Sequence, residues 1–200
     1  MKIIIAKYIM KVKIKSLWAR IILTSYRNLE RVITSLDKTV DCLAMQGFNY
    51  RTSQSAEQLM NKIIDHIYRK EGLINLKVIT EQIIKCMKAE YVELLELKFL
   101  KNKKFHEIAD SLNISLRTVF RHYDKALNQF SCYLKLKGFT DEMLEAEYKD
   151  DPYIDKIKAK IAEDYRDTDM AMMNRRNMIV KRVLDNISIV CDEQININSY

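Results

Sequence analysis

Three glycines (Gly47, Gly72, Gly138) and a single proline, Pro152, are spread over 200 residues, and that scarcity constrains the fold more than any motif does. Strands joined by tight turns draw heavily on both residue types, because Gly supplies positive φ and Pro presets a negative one. So few breakers leave room for long elements with few connections, and an all-α fold is expected. The composition, 48% hydrophobic and 30% charged, suits a chain that buries a core, not a disordered or membranous one. No run approaches the roughly 18 uninterrupted apolar residues of a membrane span. The apolar opening Ile3-Ile4-Ile5-Ala6 is interrupted by Lys7 too early for a signal segment. A soluble, cytoplasmic protein with no membrane partner is expected.

Cys42, Cys86, Cys132 and Cys191 lie far apart, and His66, His106 and His122 have no ligand-like spacing to them. Reduced thiols are therefore expected, with no disulfide framework, no metal and no cofactor. Nucleophile–base pairs and glycine-rich phosphate loops are absent from the sequence as well, so no catalytic residues are assigned and the chain does not read as an enzyme. The methionines Met170, Met172, Met173 and Met178 fit core packing better than a binding surface. A net charge of +7 favours a polyanionic partner without naming one. Lys2, Lys7, Lys11, Lys13, Lys15 and Arg20 all precede the first acid, Glu30, whereas the stretch from Asp141 to Asp169 is rich in acids.

Apolar residues from Ile22 recur in steps of four and three: Ile22, Tyr26, Leu29, Ile33, Leu36, Val40, Leu43. This heptad seam predicts one long amphipathic helix from about Ser16 to Met45, capped by Gly47. A seam of this length either packs within the chain, which its shortness favours, or zips against a second subunit. Ser55 and Gln58 have capping-box spacing and open a second helix striped by Leu59, Ile63, Ile64 and Ile67. Lys70-Glu71-Gly72 is read as its stop. A third helix would bury Val78, Ile79, Ile83, Ile84 and Met87. Beyond Gly138, Thr140 can cap a short acidic helix reaching about Lys149. Asp151-Pro152 reads as N-cap and first position of the next helix, continued by Ile154, Ile157, Ile161 and Tyr165. A further amphipathic stretch carries Met173, Val180, Val183, Leu184 and Ile187. The expected divisions are a helical N-terminal region over 1–72, which offers a dimerisation surface, a DNA-binding region over 73–138, and a helical extension over 139–200.

Between Ala89 and Phe130 the residues meet the demands of a helix-turn-helix in order. Ala109 supplies the small side chain where two steeply crossed helices touch. Asn113 tolerates the left-handed backbone of the tight turn. Ile108, Leu112, Ile114 and Val119 fall where the small core must be filled, and Ser115 can cap the second helix. Each feature is common; their order and spacing together are specific.

This stretch resembles region 4 of bacterial sigma factors, through Glu107-Ile108-Ala109, Leu112-Asn113-Ile114-Ser115, Thr118-Val119 and Lys125-Ala126-Leu127. Leu94, Leu95, Lys98 and Phe99 match the helix that precedes the pair in that module, a leucine-rich run ending in a basic–aromatic couple. The chain departs from the pattern at Asn113, where glycine is usual, at Phe120, where a polar residue is common, and at Asp124, where a base is frequent. The longer order of elements is similar to small sigma-like transcription regulators of phages and prophages of Gram-positive bacteria. Residues 1–73 lack the aromatic and basic run of a promoter-melting region, so the chain does not read as a stand-alone sigma factor. The resemblance implies double-stranded DNA as partner, with RNA polymerase as a further one.

In a bound helix-turn-helix the second helix lies in the major groove with its N-terminal residues against base edges. The DNA-binding candidates there are Ser115, Leu116, Arg117, Thr118, Phe120 and Arg121. Arg117 and Arg121 share one helical face, and an arginine reads guanine bidentately. Phe120 either touches a thymine methyl or packs on another part of the protein. Lys101, Lys103, Lys104 and Lys125 flank the motif and suit phosphate contact, which positions without reading sequence. Two half-sites read by a dimer would extend a short recognition sequence, so a homodimer is expected. A different class of function, a protein–protein adaptor using the same fold, is the alternative.

Overall fold

The computed structural model describes residues 17–47 and 55–164. All regular structure among them is helical, as the scarcity of Gly and Pro requires. The chain divides into two compact units, residues 1–157 and 158–200. In the second unit the described residues, 158–164, are helical, with Ile161 buried. Tyr165, the lysines from Lys2 to Lys15, the methionines from Met170 to Met178, the Val180–Ile187 stretch and Cys191 all lie outside the described residues.

In the first unit, α1 (Leu17–Gly47) and α2 (Ala56–Cys86) form a helical hairpin. Three cross-links fix its direction: Tyr26 Oη donates to Glu81 at 3.2 Å, Lys70 Nζ meets Asp37 at 2.6 Å, and Lys77 pairs with Glu30. In every pair the two residue numbers total 107, the signature of two antiparallel helices in constant register. The heptad seam of α1 therefore finds its partner within the chain. Ile22, Leu29, Ile33 and Leu36 are buried along it, and Tyr26, Val40 and Leu43 are half-buried. Ser55 opens α2 through the expected capping box, accepting from Gln58 N at 3.2 Å while Gln58 Oε1 accepts from Ser55 N at 3.3 Å.

The stop expected at Gly72 does not occur; α2 runs through it without a break. Tyr148 packs beside Gly72 and donates its hydroxyl to the Gly72 carbonyl at 2.9 Å. The helical phase beyond is consequently set by Leu73, Leu76, Thr80 and Ile83, all buried, and Met87 beyond the helix end is buried too. Of the face expected there, Ile79 and Ile84 are half-buried and Val78 points outward, 43% exposed. Before Leu73 no described residue of α2 is fully buried. Leu59, Ile63 and Ile67 are half-covered and Ile64 is exposed, because a paired helix hides a seam and not a whole face.

After the hairpin come α3 (Ala89–Leu95), continued by a π-helical turn at Glu96–Leu100, then α4 (Phe105–Leu112), α5 (Leu116–Leu136) and α6 (Asp141–Glu147). A further helix, α7, covers 152–164 among the described residues. Gly138 closes α5 at φ +88°, where its N–H donates to Lys135 O and the N–H of Phe139 reaches back to Leu134 O, both at 3.0 Å. This is the Schellman pattern, which favours glycine because a left-handed residue with a side chain is strained. Thr140 caps α6 as expected, accepting from Met143 N at 3.3 Å.

Asp151 clamps the C-terminal elements onto the hairpin. It is only 8% exposed, and its Oδ1 caps α7 by accepting from Tyr153 N at 2.8 Å and Ile154 N at 3.0 Å. Its Oδ2 takes Arg69 Nε of α2 at 2.6 Å. Tyr153 adds a second tie, donating to the Ser25 carbonyl of α1 at 2.5 Å. Burial pushes both tyrosine hydroxyls up from their ordinary pKa, Tyr153 to about 12, so both ties hold as neutral donors throughout the physiological range.

Two outcomes are expected in urea unfolding. Asp151→Ala should cost about 2–4 kcal/mol, the sum of a lost N-cap and a charge-assisted bond, while Asp151→Asn, which keeps the capping oxygen, should cost visibly less. Gly72→Ala should stabilise by about 1 kcal/mol. A Cβ there meets only ordinary contacts, Tyr148 Cε1 at 3.7 Å and Glu147 Oε1 at 3.8 Å.

Candidate nucleic-acid interface

The site is built on α4 and α5 and on the turn between them. Glu107 opens α4 by accepting from Lys104 N at 2.8 Å. Its end is set by Asn113 at φ 51°, ψ 44°, in the left-handed region. The N–H of Asn113 donates to Asp110 O at 3.3 Å and that of Ile114 to Ala109 O at 3.1 Å. The same Schellman closure that Gly138 makes is here built on asparagine, the side chain that best tolerates this backbone. Two residues later Ser115, in extended backbone at φ −65°, ψ 147°, is the N-cap of α5, and its Oγ accepts from Thr118 N at 3.2 Å.

The core beneath the turn is assembled largely as expected. Ile108 and Val119 are wholly buried and Ala109 nearly so at the contact of α4 with α5; Leu112 and Ile114 are half-buried at its edge. From α5, Tyr123, Ala126, Leu127, Phe130 and Leu134 continue the buried face. Leu94 and Leu95 of α3 are buried as well.

The opposite face of α5 is open. Ser115, Leu116, Arg117, Phe120, Arg121 and Lys125 are exposed and Thr118 is half-buried; Leu116 is 44% exposed and Phe120 45%. Thr118 does more than line the surface, since its Oγ1 lies 2.8 Å from Ser115 Oγ and joins the cap. Lys101 and Lys104 are exposed at the entrance to α4. Lys103 is half-buried and engaged, donating to Ser111 Oγ at 2.9 Å, which leaves it less suited to phosphate than its neighbours. Asp124 is partly desolvated and its carboxyl is pushed up from the ordinary range, with Arg20 of α1 opposing the shift. This acid thus sits in the field of a cation on the neighbouring helix.

An aromatic ladder behind this face is not evident from the sequence. Phe120 packs on Phe105 with ring centroids 4.7 Å apart; Phe105 meets Tyr123 edge-on at 5.1 Å; Tyr123 stacks with Phe99 at 6.1 Å. Lys98 Nζ sits 4.3 Å from the Phe105 ring centroid. Of the two environments expected for Phe120, packing on another part of the protein is observed, against Phe105, and the rest of the ring is open to solvent. The only sequence signal was the aromatic at each of four positions, which spacing alone does not connect.

His106 is exposed, and His122 meets Tyr91 edge-on at 5.7 Å. Among the described residues no cluster of three or more His, Cys, Asp or Glu side chains is placed to hold a metal ion. Cys42, Cys86 and Cys132 are free and exposed. No described helix is long and apolar enough to cross a membrane. Compared with family models, curated proteins and solved structures, the chain has no significant match.

Asn113 gives the turn a direct test. Asn113→Gly should leave stability unchanged or slightly raised, whereas Asn113→Ala should cost about 1 kcal/mol, the penalty of a Cβ in the left-handed region. Thermal unfolding of the three proteins distinguishes these outcomes.

Proposed function

We propose that the chain is a DNA-binding transcription regulator that inserts the first turns of α5 into the major groove. The observation that carries this reading is the pair Arg117 and Arg121, exposed and one helical turn apart on the outer face of a capped helix. Arginines so spaced reach the same groove, and each bidentate contact to guanine discriminates by roughly 1–3 kcal/mol. Lys101, Lys104 and Lys125 are the phosphate contacts of this reading, and Ser115 and Thr118 add hydroxyls at the helix entrance. The net charge of +7 is in keeping with a polyanion as partner. Pairing of two subunits on two half-sites belongs to the same proposal, since one helix reads few base pairs.

The exposed apolar side chains Leu116 and Phe120 on that face favour a second reading, an adaptor that docks on RNA polymerase or another protein. Ionic strength separates the two, because binding through several phosphates weakens steeply with added salt.

In mobility shifts with random-sequence duplexes, wild type should select sites and lose affinity linearly on a log–log plot against salt. The Arg117→Ala, Arg121→Ala double variant should bind its selected site at least about fivefold more weakly, the smaller end of the range for a lost base contact. A double variant as tight and as selective as wild type would exclude groove insertion by this face.

A further inference from the structure

We infer that Phe120 is a specificity-determining residue that reads the 5-methyl group of a thymine beside the bases contacted by Arg117 and Arg121; the inference rests on the DNA-binding reading above. Large apolar side chains on a helix are normally turned inward, yet this ring is 45% exposed on α5. It is not loose. Phe105 holds it at 4.7 Å, and Phe105 is itself fixed by Tyr123 at 5.1 Å and by Lys98 Nζ at 4.3 Å. The exposed part of the ring is thus offered in one orientation by a chain of contacts reaching back to Phe99 of the π-helical turn. A ring already immobilised loses little further entropy on binding, the property that makes aromatics effective contact residues.

The chemistry of the groove then selects the partner. Base edges in the major groove are hydrogen-bond donors and acceptors, with one apolar exception, the thymine 5-methyl. An exposed ring between two arginines has no polar atom to satisfy a donor or acceptor, and it would desolvate one without replacement. The methyl is the group that fits it. Along α5, Phe120 lies about 4.5 Å beyond Arg117 and about 1.5 Å before Arg121 in axial rise. With base pairs about 3.4 Å apart, the thymine falls within one or two steps of the arginine-read bases.

Deoxyuridine tests this, because it pairs as thymine does and lacks only the methyl. With the full chain, the site selected from random duplexes is resynthesised with each thymine replaced in turn by deoxyuridine. One replacement should weaken wild-type binding about fourfold, the effect of burying one methyl-sized group, while the others do little. Phe120→Ala should be indifferent to that replacement and Phe120→Leu partly sensitive, with helical circular dichroism confirming that both are folded. The wild-type series needs no variant, so indifference to every replacement overturns the inference even if both variants fail to fold; Phe120→Tyr, which keeps the ring, then stands in for them to assign a sensitive methyl to Phe120. Wild type indifferent to every replacement, or Phe120→Ala as sensitive as wild type, overturns the inference and leaves the DNA-binding reading standing. A chain that selects no duplex at all overturns that reading and this inference with it.

Discussion

The structure of the first unit depends on the enclosure of one stretch, the N-terminal half of α1. A surface helix buries a stripe, but Trp18, Ala19, Ile21, Ile22, Leu23 and Ser25 leave almost no face of this segment open. It touches α2, the π-helical turn and α5, and Tyr153 ties α7 to it through the Ser25 carbonyl. Of the two helices that carry the candidate interface, α5 is therefore packed on the same helix that starts the hairpin. Ser25, buried in this apolar setting, turns its hydroxyl to the Ile22 carbonyl at 2.7 Å, so its polar atom is satisfied locally. Loss of packing here would release several elements together, and this is why the α4–α5 pair need not be stable alone.

How far the sequence was legible follows from the range of each interaction. Caps are local, and Ser55, Ser115, Thr140 and Asp151 all sit where side-chain chemistry and spacing place them. The α1 seam is local in the same sense, since one period over seven residues identifies it. Gly72 shows the opposite case. A glycine near charged residues reads as a helix end, but this one lies inside a continuous helix and meets, from 76 residues away, the Tyr148 hydroxyl bonded to its carbonyl. Of the face expected in the second half of α2, Ile83 and Met87 are buried and Ile79 and Ile84 half-buried, whereas Val78 falls outside it and Leu73, Leu76 and Thr80 belong to it, because the helix keeps one phase through Gly72. The Asp151–Arg69 link spans 82 residues and has no local signature either. At the site, Arg117 and Arg121 are legible from helical spacing, whereas the rings that hold Phe120 come from three separate elements.

Scarcity of glycine has a second consequence, visible at the joints. Apart from Gly138, the left-handed positions among the described residues are Asn102, Asn113 and Asp150. Asn and Asp are the side chains that enter this region at least cost. Asn102 closes the π-helical turn, beyond which the N–H of Lys103 reaches Leu97 O at 3.0 Å; Asp150 precedes the cap of α7. Each of these joints carries a modest strain that glycine would relieve, but each also loses less backbone freedom on folding than glycine would. Short, stiff connections of this kind hold the helices they join at fixed angles.

The buried residues of α5 and the residues of the proposed DNA contact consequently lie on different sides of the helix. Val119, Tyr123, Ala126, Leu127, Phe130 and Leu134 bind the helix to the body, while Arg117, Arg121 and Lys125 are exposed. Phe120 lies between the two sets, and this position explains why the same ring appears in both accounts. Its contact with Phe105 stabilises the α4–α5 pair, and its open part is an apolar surface kept in water at a cost of order 25 cal/mol per Å². That cost is recovered only when something apolar covers the ring. The contact with Phe105 accounts for the packed part of the ring; in the DNA-binding proposal the exposed part is what the partner covers.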